Sequence, residues 1–306
     1  ITQEEVVMRQ LGGGAVILLV GTGAVLAQQG SLLTAEQRAQ FHGAYSQAEE
    51  PFRLLGNVYY VGAKNIASYL VTTPAGNILI DTGTVEMHPV ILANVKTLGF
   101  DIKNTKIMLS SHAHFDHVGG HAAMKKLTGA RVMAIRQDAD ALAAGKDLSP
   151  LNDEGWEPVK VDRLLKDGDE VSLGGTTLRA VQAPGHTPGC TVWTMSVPES
   201  GRKYTLAIFG CGGPNAGVTL IGNPRFPTLV DDTRATFRKL RTLTPDIYVT
   251  GHPQMLFAGK IPDMKAGVRP HPLLDPGSQA WSKVLADAEA GFEKRVADER
   301  GAATSR

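Results

Sequence analysis

The sequence predicts an α/β protein built as a four-layer αβ/βα sandwich, with helices outside and two sheets inside. Strand-length apolar segments recur in two blocks, one over residues 52–135 and one over residues 169–249, each punctuated by glycine, proline and Asx turns. Segments of helical pattern accompany both blocks, so each half has a sheet and a helical layer to bury against one another. The 34 glycines among 306 residues add the tight turns that such a sheet-rich chain needs. No period of 20–50 residues marks a repeat protein.

Taken in order, the chain opens with Met8 and Arg9, then an apolar run from Ala15 to Leu26, then Val25-Leu26-Ala27 with small or tolerated residues at the −3 and −1 positions. This reads as a signal peptide over residues 1–27, with Met8 as a candidate start, cut after Ala27. The run is shorter than the ~20 residues of a spanning helix, so no stable membrane insertion is expected after its removal. Residues 28–306 then form a single domain that works in the periplasm or is secreted.

A short helix is expected over residues 34–46. Strands follow over 52–61, 67–72 and 77–81, the last running into Asp81-Thr82-Gly83. Helical patterning covers 89–98, a buried strand 106–110, helix 122–127, strand 131–135 and helix 138–144. A long polar connection containing Trp156 leads to strands within 169–183, a hairpin, a helix over 231–243, a strand at 246–249 and an amphipathic tail helix over 279–300. The net charge of +1, and the lack of basic runs with interleaved aromatics, give no footprint for nucleic acid.

The hairpin pairs residues 190–195 with 204–209 around a turn at Glu199-Ser200-Gly201-Arg202, which sets Cys190 opposite Cys211. A Cys190–Cys211 disulfide suits an oxidising compartment. Two inert buried thiols, or Cys211 as a metal ligand, are the competing readings.

Chemistry concentrates in His112-Ala113-His114-Phe115-Asp116-His117, four potential ligands in six residues at the end of an apolar strand. Residues i and i+2 of an extended chain share a side, so His112 and His114 converge on one metal. Asp116 and His117 sit where the chain turns and point to a second, and Gly119-Gly120 lets the backbone turn tightly there. His186, in Pro184-Gly185-His186-Thr187-Pro188-Gly189, and His252, in Thr250-Gly251-His252-Pro253, each follow an apolar strand. The six side chains give three ligands for each of two metals, and imidazole with carboxylate suits zinc.

The His-x-His-x-Asp-His motif and the two later histidines resemble the metallo-β-lactamase superfamily, in the right order from Phe52 to His252. The resemblance implies the metallo-β-lactamase fold and two Zn2+ ions per chain. Glyoxalase-II-like, lactonase-like and RNA-processing members carry a metal-bridging Asp after the strand that here ends in Ile208-Phe209. This chain has Gly210-Cys211-Gly212-Gly213 instead, and a histidine directly after Asp116. That pattern resembles subclass B3: His112, His114 and His186 on one zinc, Asp116, His117 and His252 on the other. Gly222-Asn223-Pro224-Arg225-Phe226-Pro227 adds to the likeness.

The resemblance implies hydrolysis of the β-lactam amide of antibiotics by a metal-bound hydroxide, with Asp116 as catalytic orienter and a small-molecule β-lactam as substrate. Many subclass B3 enzymes carry Ser or Thr near Gly212 to Pro214 to hold the substrate carboxylate. Asn215 is the candidate replacement here. Asp81 is a candidate to orient a ligand histidine, and Trp156 and Phe226 are candidates to wall the pocket or to pack a loop. His121, His42, His88 and His271 read as non-ligands. The rival activities are a two-zinc hydrolase of another ester or amide, such as a lactone, and a secreted zinc-binding protein without turnover.

Overall fold

The structure is a computed structural model that describes residues 35–146 and 155–304. The expected signal peptide and part of the connection before Trp156 lie outside the described residues. Among the described residues no helix is long and apolar enough to cross a membrane.

The first sheet has seven strands, in spatial and chain order: β1 (Phe52–Leu55), β2 (Val58–Tyr60), β3 (Tyr69–Thr73), β4 (Gly76–Ile80), β5 (Thr105–Leu109), β6 (Arg131–Ile135) and β7 (Arg163–Leu165). β1 to β4 are antiparallel neighbours, β3 and β4 being joined by the Pro74-Ala75 turn. β4 to β7 are parallel. Parallel neighbours need crossover connections, and helices supply them. The described helices are α1 (Ala35–Tyr45), α2 (His88–Thr97), α3 (Phe115–Val118), α4 (His121–Thr128), α5 (Arg136–Ala144), α6 (Leu229–Leu240), α7 (Ile261–Lys265) and α8 (Gln279–Thr304).

The second sheet contains β8 (Glu170–Leu173), β9 (Thr176–Gln182), β10 (Thr191–Glu199), β11 (Arg202–Phe209) and β12 (Ile247–Thr250), in the spatial order β12-β11-β10-β9-β8. The expected hairpin is present. Ser200 and Gly201 both adopt positive φ, 51° and 78°, the combination that closes a two-residue hairpin with the twist of its strands.

Alternation along the strands sorts side chains into layers. In β6, Val132 and Ala134 face the helical layer while Met133 and Ile135 enter the core between the sheets. In β11, Leu206 and Ile208 enter that central core while Ala207 and Phe209 pack toward α6 and α8, among Phe237, Trp281 and Phe292. Three apolar cores between four layers confirm the αβ/βα sandwich. β7 and α7 are not expected from the sequence, and α6 stops at Leu240 rather than 243. Leu243 instead closes a tighter turn, its N–H donating to Leu240 O at 3.1 Å, ahead of Pro245.

Candidate metal centre

Five strands end on one edge of the sandwich. β4 runs into Asp81 and β5 into residues 110–117, with Ile80 level with Leu109 in the ladder. β9 leads to His186, β11 to Gly210-Cys211 and β12 to Gly251-His252, with Phe209 level with Thr250. Bonds between the two sheets fix this edge. Thr191 N donates to Ser111 O at 2.8 Å, and Trp193 Nε1 to Ser110 O at 3.0 Å. The Tyr69 hydroxyl donates to Thr250 O at 2.6 Å.

There the six predicted ligand side chains come together. The ring centroids of His112, His114 and His186 lie 4.5–4.7 Å apart, and one ligand atom from each falls within 4.8 Å of the others. Ligand atoms of His112, Asp116 and His117 likewise lie within 4.8 Å of one another. His252 Nε2 stands 3.2 Å from His117 Nε2 and 3.6 Å from Asp116 Oδ2. Close approach demands Gly251, because a Cβ there would lie 2.6 Å from His117 Cε1. The Gly119-Gly120 pair also answers to space rather than to turn conformation. Both have ordinary right-handed φ, but a Cβ on Gly119 would lie 2.5 Å from Phe115 O and one on Gly120 2.8 Å from Thr82 O.

Hydrogen bonds set the imidazole tautomers. His117 Nδ1 donates to Asp81 Oδ2 at 2.9 Å. His112 Nδ1 donates at 3.1 Å to Ser111 Oγ, which donates to the same Asp81 oxygen at 2.6 Å. Asp81 Oδ1 accepts from Ser111 N at 2.6 Å. One buried carboxylate thus orients two imidazoles, and it holds a left-handed φ of 59° to do so, a conformation Asp tolerates better than most residues. His186 Nδ1 donates to Gly213 O at 3.1 Å. In each case Nε2 is left as the lone-pair nitrogen.

Burial pushes the His114 imidazole down to about 3 and that of His252 down to about 4, and neighbouring imidazoles add to the effect at His114. Burial and neighbouring imidazoles hold His112 and His186 well below the usual histidine range. Neutral imidazole is the metal-binding form. His112 Nε2 is buried with no hydrogen-bond partner among the described residues, a costly state that a cation relieves. Nitrogen and carboxylate donors at this spacing fit zinc. Cys190 and Cys211 also approach His112, but they form a disulfide, with their Cα atoms 6.2 Å apart, and offer no thiolate.

Sequence reasoning missed Asp138, in the first turn of α5. Its Oδ2 accepts from Ala113 N at 2.8 Å and Thr187 Oγ at 2.7 Å, and its Oδ1 from Gly189 N at 2.7 Å. It ties the His112–His117 loop to the His186 loop. An aspartate early in a helix looks like any other in sequence, so no signal distinguished it. Tyr45 was missed as well: its ring meets His252 edge-on at 6.2 Å, and α1 is further held by His42 stacking on Phe115 at 5.0 Å. His121 is buried beside the site, its Nδ1 2.7 Å from Thr82 Oγ. His271 lies elsewhere, bonded to Leu54 O at 2.9 Å.

A cleft of about 570 Å³ opens on His114 and His186 and is lined by Asn215, Asn223, Phe226 and Leu229 among others. Asn215 and Phe226 therefore stand where a pocket role requires. Trp156 does not line this cleft. It is buried in the outer core with Leu142 and Ala141 of α5, where its backbone N–H donates to Gly145 O at 3.0 Å and pins the returning chain beneath that helix.

The sequence model of the metallo-beta-lactamase superfamily matches residues 61–252, a span running from the end of β2 to His252. The chain belongs to the metallo-β-lactamase superfamily. Solved structures resemble it over most of its length. A metallo-β-lactamase with an HARLDQ motif from Cronobacter sakazakii is 35% identical with TM-score 0.79, the match covering 85% of this chain and 99% of that one. BJP-1, a subclass B3 metallo-β-lactamase of Bradyrhizobium japonicum, is 37% identical with TM-score 0.78, covering 84% and 97%. A hydroxyacylglutathione hydrolase of Rhodospirillum rubrum is 30% identical over 125 residues, 40% of this chain and 41% of that protein. The chain thus spans about two-fifths of the length of such curated relatives.

Proposed function

We propose that this metallo-β-lactamase-fold chain is a two-zinc β-lactamase of subclass B3, acting in the periplasm or outside the cell. His112, His114 and His186 would hold one zinc, and Asp116, His117 and His252 the other. The observation that carries this reading is the replacement of a carboxylate at residues 210–213 by a disulfide-locked Cys211 between glycines. Thioesterase-like members of the superfamily are expected to bridge their metals with an aspartate at that place. The likeness to solved β-lactamases over most of the chain supports the same choice. The disulfide suits an oxidising compartment.

Bound zinc supplies Lewis-acid chemistry, polarising a carbonyl and lowering the pKa of water. The protein supplies the rest. Asp81 and Gly213 O hold His117 and His186 with their Nε2 lone pairs turned inward. Asp116 is buried with Oδ2 turned to the ligand nitrogens, 3.6 Å from His252 Nε2, and its other carboxylate oxygen is the group suited to orient the attacking water and to pass a proton to the departing lactam nitrogen. The apolar walls at Phe226 and Leu229 exclude water from the substrate's body, while Asn215, Asn223 and the cationic Arg225 offer partners to its carbonyl and carboxylate groups.

A second reading, hydrolysis of a glutathione thioester, is favoured by the matches to hydroxyacylglutathione hydrolases. Purified, zinc-loaded protein assayed side by side on a chromogenic cephalosporin, a carbapenem and an S-acyl glutathione separates the two. Chelator-sensitive hydrolysis of the lactams, well above that of the thioester, is expected. The reverse order would overturn the assignment.

A further inference from the structure

The wall of the cleft formed by residues 213–221 has no helix or strand of its own. Its peptide groups need partners, and the C-terminal helix provides them. Arg295 of α8 donates from Nη1 to Pro214 O at 2.7 Å, and from Nη2 to Asn215 O and Val218 O, both at 3.0 Å. One turn on, Glu299 accepts from Leu220 N at 2.9 Å and from Ile221 N at 3.0 Å through Oε2. The two residues are four apart and share one helix face. Together they hold five backbone groups of one loop, through hydrogen bonds strengthened by full charge.

Both ends of this strap matter to the site. At one end Gly213 O receives the His186 Nδ1 proton at 3.1 Å, next to the carbonyls that Arg295 holds. At the other, Leu220 is buried in the core it shares with Phe292 and Val296 of α8. Between them Pro214, Asn215 and Val218 line the cleft. The helix is itself fixed to α6: Arg234 and Glu293 pair through two bonds of 2.7 Å, and Trp281 Nε1 donates to Leu240 O at 3.1 Å.

We infer that α8 belongs to the substrate-binding apparatus, with Arg295 and Glu299 as positioning residues that clamp the 213–221 strap in its substrate-receiving form. This rests on the cleft being the substrate site, not on the substrate being a lactam. His112 and His117 are held from elsewhere, by Asp81, and Asp138 holds the backbone of both ligand loops, so that only the His186–Gly213 bond joins the strap to the imidazoles and loosening the clamp acts on binding before chemistry.

The test compares Arg295→Gln, Arg295→Lys and Glu299→Ala with the zinc-loaded wild type and with Lys294→Ala, which removes only an exposed helix-surface pair. Amide exchange over residues 213–221 is read by mass spectrometry, and KM and kcat on whichever of a cephalosporin or an S-acyl glutathione the wild type hydrolyses. Arg295→Gln and Glu299→Ala should speed exchange in the strap by about tenfold while leaving the two sheets unchanged. KM should rise by about tenfold with kcat within about threefold, Arg295→Lys should recover part of the loss, and Lys294→Ala should match wild type. Unchanged strap exchange would overturn the clamp. So would faster exchange with unaltered KM, or faster exchange spread through both sheets with kcat and KM falling together. A wild type that hydrolyses only the thioester would overturn the lactamase reading alone.

Discussion

The two walls of the cleft are held by different means. On the wall carrying residues 112–117, the His112 and His117 imidazoles are fixed by Asp81 at the end of β4, and the backbone by Asp138 in the first turn of α5, both carboxylates buried. On the facing wall, residues 213–221 are half-buried or exposed for the most part and are held by Arg295 and Glu299 reaching in from the terminal helix. The difference separates two requirements. Groups that meet metal and reacting atoms are set by carboxylates that water cannot reach, where each hydrogen bond is worth most. The facing wall hangs on a surface element and reaches the imidazoles through the single His186–Gly213 bond.

The largest effect is expected where the chemistry itself is struck. Asp116→Asn keeps the shape of the side chain but removes its negative charge and its capacity to take a proton. Turnover should fall by at least about 100-fold, read as kcat at saturating zinc and substrate. Near-normal kcat would remove Asp116 from the role assigned to it.

Asp138→Ala strikes the framework. It leaves two buried backbone N–H groups and the Thr187 hydroxyl without their acceptor. A stability loss of about 4 kcal/mol is expected in denaturant unfolding, given ~1–3 kcal/mol for each buried unsatisfied group. A loss below about 1 kcal/mol would mean that the two ligand loops are held by something other than this carboxylate.

A smaller effect should appear in the pH dependence of stability. Burial pushes the His121 imidazole down to about 4, against about 6.5 in the unfolded chain. Its folded-state pKa is depressed, so the unfolded state binds more protons below pH 6.5, and the stability tied to neutral His121 is lost as pH falls from 6.5 toward 4. Between pH 7 and 5, chelator-treated wild type should lose about 2 kcal/mol more than His121→Asn. Parallel curves for the two proteins would show that His121 does not titrate in this way.

Much of this was legible in the sequence because the physics is local. The ligand cluster follows a strand whose burial is visible in the consecutive apolar residues Ile107, Met108 and Leu109, and the Cys190–Cys211 pairing follows from a hairpin whose turn is written in Ser200-Gly201. Asp81, at the end of another apolar strand, could be suspected for the same reason. Asp138 could not, since its three partners come from two loops brought together only by the fold. Trp156 was open to a pocket role because an aromatic residue in a polar connection looks the same whether it packs inward or lines a cleft. The Arg295–Glu299 clamp was hidden for a related reason. It joins residues about 80 positions apart, and its acceptors and donors are backbone groups that leave no mark on the sequence.

The proposed chemistry depends on six side chains forming two adjoining metal sites. Zinc content per chain, measured on wild type and His252→Ala after equilibration with excess zinc and removal of the unbound ion, tests it most directly. Two zincs are expected in the wild type and one in the variant. One zinc in the wild type, or two retained after loss of His252, would contradict it.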